Sequence, residues 1–254
     1  MLAGKLGLIC NVANHRSAAW AIAKAADAAG ARLAIGYLGD REREALEKLA
    51  PELSQPALLL PCDVASDDSL EQLRSRLTAE FGRLDFLAHA VAYARLEDLR
   101  GRFVDTSRDG FALAHDVSAY SLAALARWVE PLMAAGGSVV TLSYIGAVRA
   151  VPNYNVMGVA KASLEATVRY LAADLGPQGI RVNAISAGPM KTLAAAAIGD
   201  FKSLHKAIAE KVPLRRNTTQ EEVADVTVFL ASDLSRGITG DVIYVDNGYH
   251  ILGV

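Results

Sequence analysis

Short apolar segments alternate with longer amphipathic segments along the whole chain of 254 residues. The apolar segments lack regular polar alternation, which is typical of parallel strands covered by helices on both faces. The amphipathic segments between them have the length and periodicity of crossover helices. The pattern predicts strands at 6–12, 32–37, 57–62, 84–91, 138–143, 180–185 and 242–245. It predicts helices at 17–29, 40–50, 66–81, 152–175 and 220–231, and one long or broken helical region over about 105–134.

This alternation predicts an α/β fold, namely a single doubly wound, Rossmann-type domain with a seven-stranded parallel sheet and helices on both faces. Because no proline- or serine-rich linker divides the chain, residues 1–254 are interpreted as one domain. The least regular segment runs from Ala187 to Phe201. A loop at about 187–205 is therefore expected to cover a binding site.

Composition and charge exclude several classes of protein. Lys and Arg number 26 against 28 Asp and Glu, and there is no basic stripe, so no nucleic-acid partner is expected. No apolar run reaches the roughly 18 residues that a membrane span needs. Cys10 and Cys62 lie in apolar, strand-like segments with no CxxC spacing, which indicates buried, reduced thiols in a cytoplasmic protein. With no cysteine cluster and no H-E-x-x-H, no metal site is expected.

The first strand–turn–helix unit is where a fold of this class holds a dinucleotide. A helix that begins near Ser17 would offer free N–H groups to a pyrophosphate. The glycine fingerprint is absent, since no glycine occurs from Leu8 to Ala29. Asn11 can adopt a positive φ better than most residues, and Ala21 is small enough for close packing. On these residues alone, a nucleotide site and an ordinary turn capped by Ser17 are equally supported.

Two further positions bear on the nucleotide. Asp63 follows the third strand, where it could bond an adenine amino group, although capping of the next helix is favoured when it is taken alone. After the second strand, an acidic residue would select a free ribose 2′-hydroxyl and an arginine a 2′-phosphate. Leu38 can do neither. Asp40 would favour the free 2′-hydroxyl, whereas Arg41 would favour the 2′-phosphate. The choice between NADH and NADPH stays open.

Tyr154 and Lys161 lie seven positions apart in a predicted helix. This spacing is about 700° of rotation and about 10.5 Å of rise, so both side chains share one face. A nearby ammonium disfavours the neutral phenol, and a phenol so placed can donate a proton or hydrogen bond to a developing oxyanion. By spacing alone, an interfacial tyrosine and a solvated lysine are favoured instead. His89 and His115 lie in apolar contexts and are expected to pack rather than to bind a ligand.

Together with Tyr144, this pair resembles the catalytic centre of the bacterial enoyl-[acyl-carrier-protein] reductases, in which six residues separate the tyrosine from the lysine. These enzymes are divergent members of the short-chain dehydrogenase/reductase superfamily. Most of that superfamily uses Tyr-x-x-x-Lys, and this pattern is absent because position 158 is glycine. The resemblance covers nearly the whole chain and is strongest at 142–144, 152–161, 181–189, 213–216 and 240–248.

The resemblance implies a reductase of fatty-acid synthesis that transfers hydride from NADH, or from NADPH, to the β-carbon of a trans-2-enoyl thioester on acyl carrier protein. Tyr154 would bond the thioester oxygen, Lys161 would hold the nicotinamide ribose, and Tyr144 would border the acyl pocket. The implied cofactor-binding residues are Asn11, Ser17, Ala18, Leu38, Asp63, Val64, Val91, Lys161, Met190, Lys191, Thr192, Leu193 and Ala194. The implied substrate-binding residues are Tyr93, Ala94, Met157, Ala194, Ile198 and Phe201. A cytoplasmic homotetramer is also implied.

The departures from the family lie at the nucleotide end. Asn11 and Ala21 replace glycines, Ala18 replaces isoleucine, and Leu38 replaces glutamine. They bear on cofactor affinity more than on the reaction, because none touches the Tyr–Lys pair. The alternatives are a related reductase of another enone or carbonyl substrate, and an inactive paralogue that binds the cofactor. Five basic residues could attract an acidic carrier protein, although a solvated face is favoured; they are Lys202, Lys206, Lys211, Arg215 and Arg216.

Overall fold

The seven predicted strands are present and pair in parallel in one sheet. The structure, a computed structural model, describes residues 1–191 and 201–253, and only the backbone of residues 201–204. The strands are β1 Leu6–Cys10, β2 Arg32–Tyr37, β3 Leu58–Pro61, β4 Phe86–His89, β5 Gly137–Ser143, β6 Ile180–Ala187 and β7 Val242–Val245. Their order across the sheet is β3-β2-β1-β4-β5-β6-β7. The strand order reverses between β1 and β4, and folds of this class bind ligands at that point.

Helices cover both faces of the sheet, as predicted. They are α1 Ala18–Ala28, α2 Asp40–Leu49, α3 Asp67–Glu80, α4 Leu96–Leu99, α5 Arg108–His115, α6 Ser121–Val129, α7 Asn155–Leu175, α8 Phe201–Lys211 and α9 Gln220–Ala231. A π-helical turn, Asp116–Tyr120, joins α5 to α6. The region predicted as one long or broken helix is therefore broken at this turn.

Two apolar layers explain why the strands lack polar alternation. On one face, Leu70 of α3, Leu122 of α6 and Leu164 of α7 are buried against the sheet. On the other face, Trp20 of α1 and Ala224 of α9 are buried in a second cluster. Side chains on both surfaces of a strand thus leave water, which favours apolar residues at every position.

The loop predicted at about 187–205 overlaps a regular element at each end. Ala187 is the last residue of β6, and Phe201 begins α8. Ile208 of α8 and Val212, the residue after its last, are both buried, and burial of one apolar side favours the helix. Residues 192–200 lie outside the part of the chain that the structure describes.

Cys10 and Cys62 are both buried free thiols, as predicted, and their Sγ atoms are 3.9 Å apart. Contact with Cys62 and burial raise the pKa of Cys10 well above its usual value, so this thiol stays protonated. The pair sits over Gly36 of β2, where a Cβ would come within 2.9 Å of the Cβ of Cys62. A glycine is needed at this position for close packing.

None of the described helices is long and apolar enough to cross a membrane. Over the described residues, no three or more His, Cys, Asp and Glu side chains are grouped so that they could hold a metal ion.

His89 is packed, as predicted, and forms a neutral buried hydrogen-bonded unit at the end of β4. Its Nδ1 lies 2.8 Å from Thr141 Oγ1, and its Nε2 lies 2.9 Å from Ser121 Oγ. Burial, with a contribution from the charge of Lys161, lowers the pKa of His89 to about 3. His115 instead stacks on Phe111 near the surface, with ring centroids 4.1 Å apart.

We expect His89 to make the fold sensitive to acid. Between about pH 6.5 and about pH 3 the unfolded chain binds a proton that folded His89 does not, so the free energy of unfolding falls by up to about 1.4 kcal/mol per pH unit. Chemical denaturation at pH 7 and pH 5 measures this slope. His89→Asn should reduce the slope, whereas the same change at exposed His15 should leave it unaltered. Equal slopes in His89→Asn and the unmodified protein would contradict the assignment.

Candidate active site

The end of β5 and the start of α7 bring two tyrosines together at the carboxyl edge of the sheet. Tyr144 directly follows β5, and Tyr154 directly precedes α7. Their ring centroids are 4.9 Å apart with an interplanar angle of 66°, which is an edge-to-face contact. Tyr154 is the N-cap residue of α7 rather than a residue within the helix, which corrects the predicted helix start at 152.

Two glycines allow this close approach. A Cβ at Gly146 would come within 2.5 Å of the Tyr154 ring. A Cβ at Gly158, in the first turn of α7, would come within 2.8 Å of the Gly146 carbonyl oxygen. The backbone after β5 therefore rests directly on α7. A lysine at position 158 would therefore clash with the Gly146 carbonyl group.

We expect Gly158→Ala to destabilise the protein and reduce its activity. The added methyl group must displace Gly146, which contacts the Tyr154 ring, and overpacking of this kind costs about 1–3 kcal/mol. Thermal unfolding and steady-state rates measure the two effects. Gly237→Ala is the matched control, because a Cβ there would meet open space. Equal melting temperatures for the two variants would contradict the packing argument.

Lys161 is buried two turns into α7 and points back toward the strand. Lys161 is only 5% exposed, and its Nζ donates a hydrogen bond of 2.7 Å to the Leu142 carbonyl oxygen. Burial lowers the pKa of Lys161 to about 8, and the negative charge of Glu165 opposes that decrease. The solvated lysine favoured by spacing alone is therefore excluded.

Both tyrosines are held as neutral phenols. Burial, followed by the neighbouring Tyr144, raises the pKa of Tyr154 well above its usual value. Burial and Tyr249 raise the pKa of Tyr144 in the same way. Desolvation is the largest cause of the increase in the pKa of Tyr154. The effect expected of Lys161 on the phenol stays a prediction. A neutral phenol keeps the hydrogen that an oxyanion would accept.

An apolar cluster lies against Tyr154. Met157 of α7 and Ala94 of the loop after β4 pack in it with Tyr154 and Leu99. Tyr93 is beside this cluster in sequence and is 53% exposed. Its backbone N–H donates to Ser118 Oγ and its carbonyl accepts from the same hydroxyl, each at 2.9 Å. Two of the predicted substrate residues, Ala94 and Met157, are thus brought to Tyr154.

A cavity of about 420 Å³ lies on another side of Tyr154. Phe103, Val148 and Val159 contribute its apolar wall, together with Gly158. Tyr93, Ala94 and Met157 do not line it. The cavity and the apolar cluster are therefore two separate surfaces around one phenol.

The nucleotide end keeps the shape of a phosphate-binding turn without its glycine. Asn11 adopts φ 65°, the left-handed conformation that glycine favours. Its Nδ2 donates a hydrogen bond of 3.0 Å to the Ala90 carbonyl oxygen, which ties the end of β1 to the end of β4. Ser17 caps α1, since its Oγ accepts from the Trp20 N–H at 3.2 Å, and Ala18 is the first, buried residue of the helix.

Other predicted nucleotide residues surround the same edge. Asp63 Oδ1 accepts from the Ala65 N–H at 3.0 Å, whereas Ser66 caps α3, so the capping role considered for Asp63 is wrong. Val64 is half-buried, Val91 is buried, and Leu38 is 60% exposed at the end of β2.

The segment after β6 is described only in part. Met190 is half-buried and packs against a core cluster, and Lys191 is exposed. Thr192, Leu193, Ala194 and Ile198 lie outside the described residues. Phe201 begins α8, and its side chain is also outside the description.

Sequence reasoning missed a buried polar pair behind the lysine. Glu165 is 6% exposed, and its Oε1 accepts a hydrogen bond of 2.6 Å from Ser143 Oγ. The available signal was the spacing of four positions between Lys161 and Glu165 in a predicted helix, which places both on one face. The adjacency of Ser143 to Tyr144 was a second signal.

Comparison with known proteins gives a consistent result. The family described as "Enoyl-(Acyl carrier protein) reductase" matches residues 12–250. The enoyl-[acyl-carrier-protein] reductase [NADH] FabI of Bacillus cereus is 54% identical over 254 residues, covering 100% of this chain and 99% of that protein. The enzyme of Staphylococcus aureus, named as using NADPH, is 50% identical over 252 residues, covering 99% of this chain and 98% of its own length.

Solved structures agree with these relatives. The Bacillus cereus reductase with NADP⁺ and indole naphthyridinone has a TM-score of 0.98 at 54% identity, and the match covers 100% of this chain and 99% of that chain. The Anaplasma phagocytophilum reductase in complex with NAD has a TM-score of 0.94 at 47% identity, with 100% and 94% covered. The family indicated by the resemblance is therefore confirmed: the chain belongs to the enoyl-[acyl-carrier-protein] reductases.

Proposed function

We propose that this protein reduces trans-2-enoyl thioesters in fatty-acid synthesis, with Tyr154 and Lys161 as its catalytic pair. Family membership supports the reaction, and the position of the two side chains supports their roles. The observation that carries the assignment is the neutral Tyr154 phenol, packed edge-to-face on Tyr144, at the carboxyl edge of the sheet.

The residues at this edge fit a nicotinamide dinucleotide. Asn11 adopts the backbone conformation that the turn requires, and the capped N-terminus of α1 follows it at the β1–β4 crevice. When bound, NADH or NADPH supplies hydride for the β-carbon of the thioester. The turn is expected to hold the pyrophosphate with Ser17 and Ala18. Leu38, Asp63, Val64 and Val91 are proposed to contact the adenosine half, and residues 190–194 to cover the nicotinamide and the pyrophosphate.

Tyr154 is proposed to donate a hydrogen bond to the thioester carbonyl oxygen. Negative charge grows on this oxygen as the β-carbon is reduced, and a preorganised donor in a water-poor site stabilises that charge. The α-carbon then takes up a proton. Tyr144 fixes the Tyr154 ring and borders the acyl chain, which Tyr93, Ala94 and Met157 are expected to contact together with Ala194, Ile198 and Phe201.

Lys161 is proposed to hold the nicotinamide ribose. The ammonium group has three donors, and one is committed to the Leu142 carbonyl oxygen. The remaining donors are available to ribose hydroxyls. The strand thus fixes the lysine while the lysine fixes the sugar.

The thioester is proposed to arrive on acyl carrier protein, which basic residues of α8 and its following turn attract. Lys206 and Lys211 are exposed on α8. Arg216 is less available, because it forms an ion pair with Glu222, and Arg215 donates to the Glu210 carbonyl oxygen. The side chain of Lys202 lies outside the described residues. The two exposed lysines are therefore the expected electrostatic contacts.

A cytoplasmic homotetramer is also proposed. Several large side chains are exposed in the single chain, including Phe103 at 47%, Tyr120 at 52% and Tyr170 at 76%. Exposed apolar groups of this size favour contacts between subunits. Sedimentation analysis is expected to give four chains per particle, and a monomer would contradict the proposal.

Oxidation of NADH or NADPH, followed by its absorbance with crotonyl-CoA as the substrate, tests the proposed function. We expect oxidation that depends on the enoyl thioester. Oxidation with ketones but not with crotonyl-CoA would favour a related reductase of another substrate. Cofactor binding, detected by fluorescence, without any oxidation would favour an inactive paralogue.

A further inference from the structure

A four-residue unit joins the last residues of β5 to α7 behind the tyrosine pair. Lys161 Nζ donates to the Leu142 carbonyl oxygen at 2.7 Å. The next strand residue, Ser143, donates through Oγ to Glu165 Oε1 at 2.6 Å. Lys161 and Glu165 are four positions apart in α7, so they share one helix face. Adjacent strand residues therefore fix the two members of a helical pair.

Burial makes this arrangement consequential. Lys161 is 5% exposed and Glu165 is 6% exposed, so water solvates neither charge well. A buried ammonium without a nearby opposite charge loses its proton readily. Leu142 offers only a neutral carbonyl. Glu165 offers a negative charge that its hydrogen bond from Ser143 holds in place.

The groups facing the pair come from several elements. His89 of β4 interacts electrostatically with Lys161, and burial keeps it neutral because its pKa is lowered to about 3. Arg169 of α7 and Tyr244 of β7 face Glu165. Burial raises the pKa of Glu165, whereas the Ser143 hydrogen bond and the charges of Arg169 and Lys161 oppose that increase. The carboxylate of Glu165 is thus the charge that supports the lysine ammonium.

We propose that Glu165, fixed by Ser143, is a positioning residue that keeps Lys161 protonated and directed toward the nicotinamide ribose. Glu165 acts through the lysine and does not touch the substrate. The inference rests on the proposed role of Lys161 in cofactor binding and catalysis. It adds that the pH at which the enzyme loses activity is set by a carboxylate outside the reacting groups.

The pH dependence of kcat, measured at saturating NADH and crotonyl-CoA in Glu165→Gln, tests this inference. We expect the alkaline decline, centred near pH 8 in the unmodified protein, to move down by roughly one pH unit. Relative to the unmodified protein, kcat should fall about fivefold at pH 8 and change little at pH 6. A merely structural role would lower kcat by the same factor at both pH values, and that result would overturn the proposal.

Three further variants complete the test. Ser143→Ala retains the carboxylate but releases it, so a smaller shift in the same direction is expected, and it serves if Glu165→Gln does not fold. Glu165→Asp should restore much of the alkaline activity. Asp174→Asn removes a negative charge from an exposed position of α7 and should not move the decline. An unmoved decline in both Glu165→Gln and Ser143→Ala would overturn the inference.

Failure of the proposed function gives a different result. If Lys161→Met kept the kcat and the NADH affinity of the unmodified protein, the proposed role of Lys161 itself would be contradicted. If kcat depended on Lys161 but Glu165→Gln left its pH dependence unmoved, only the role of Glu165 would be contradicted. The dissociation constant for NADH, measured over the same pH range, separates these cases without relying on turnover.

Discussion

Replacement of Tyr154 by phenylalanine should lower kcat about 10²–10³-fold while leaving the affinity for NADH nearly unchanged. The ring, its edge-to-face contact with Tyr144 and its contact with Gly146 all remain, so the variant removes only the hydroxyl. That hydroxyl stays protonated because burial raises its pKa. Its loss removes the donor proposed for the thioester oxygen. The measurement is NADH oxidation with crotonyl-CoA, together with a fluorescence titration of NADH.

Tyr144→Phe is the matched control for this prediction. It removes a hydroxyl from the neighbouring ring while preserving the same packing, and its effect on kcat should be much smaller. If Tyr154→Phe turned over at the rate of the unmodified protein, the proposed role of Tyr154 would be wrong. If the two variants were equally impaired, the donor would have to be assigned to both tyrosines.

Replacement of Lys161 by alanine should weaken NADH binding about 10- to 100-fold and lower kcat as well. Hydrogen bonds to a charged group contribute about 1.5–3 kcal/mol, and each 1.4 kcal/mol is about tenfold in affinity. The variant should also unfold at a lower temperature, because buried Glu165 would lose one of the two cations that face it, with only Arg169 remaining. Fluorescence titration and thermal unfolding measure the two effects separately.

Lys24→Ala provides a control on an exposed position of α1. It removes one positive charge from the nucleotide-binding half of the fold without opening a cavity, so NADH affinity and melting temperature should change little. Equal NADH affinity in Lys161→Ala and the unmodified protein would contradict the proposed ribose contact.

The sequence predicted most accurately the helices and strands whose ends coincide with a local change in residue type. The bounds of β2, β7 and α9 agree with the predicted ones. Thr219 caps α9 in a capping box with Glu222, a purely local signal. The start of α7 was placed too early, since Asn153 and Asn155 have φ values of 60° and 34° beside Tyr154. Nothing in the apolar pattern records such backbone angles.

The parts of the site that depend on residue identity and helical spacing were predictable from the sequence. The spacing predicted Tyr154 and Lys161 on one helix, and the structure has Tyr154 at the N-cap of α7 and Lys161 two turns into it. Asn11 adopts the positive φ that its turn needs. The raised pKa of Tyr154 was not predictable, because it comes from burial and from the neighbouring Tyr144, which only the folded chain brings together. The Ser143–Glu165 bond joins residues 22 positions apart across two elements, and no local pattern specifies it.

The central claim is that this chain delivers hydride to the β-carbon of an enoyl thioester. The most direct measurement uses NADH carrying deuterium at the transferable position, with crotonyl-CoA as substrate and analysis of the product by NMR. The account predicts butyryl-CoA with one deuterium on the β-carbon, formed at a rate that Tyr154→Phe sharply reduces. Deuterium at any other carbon, or bound NADH with no labelled product, would contradict it.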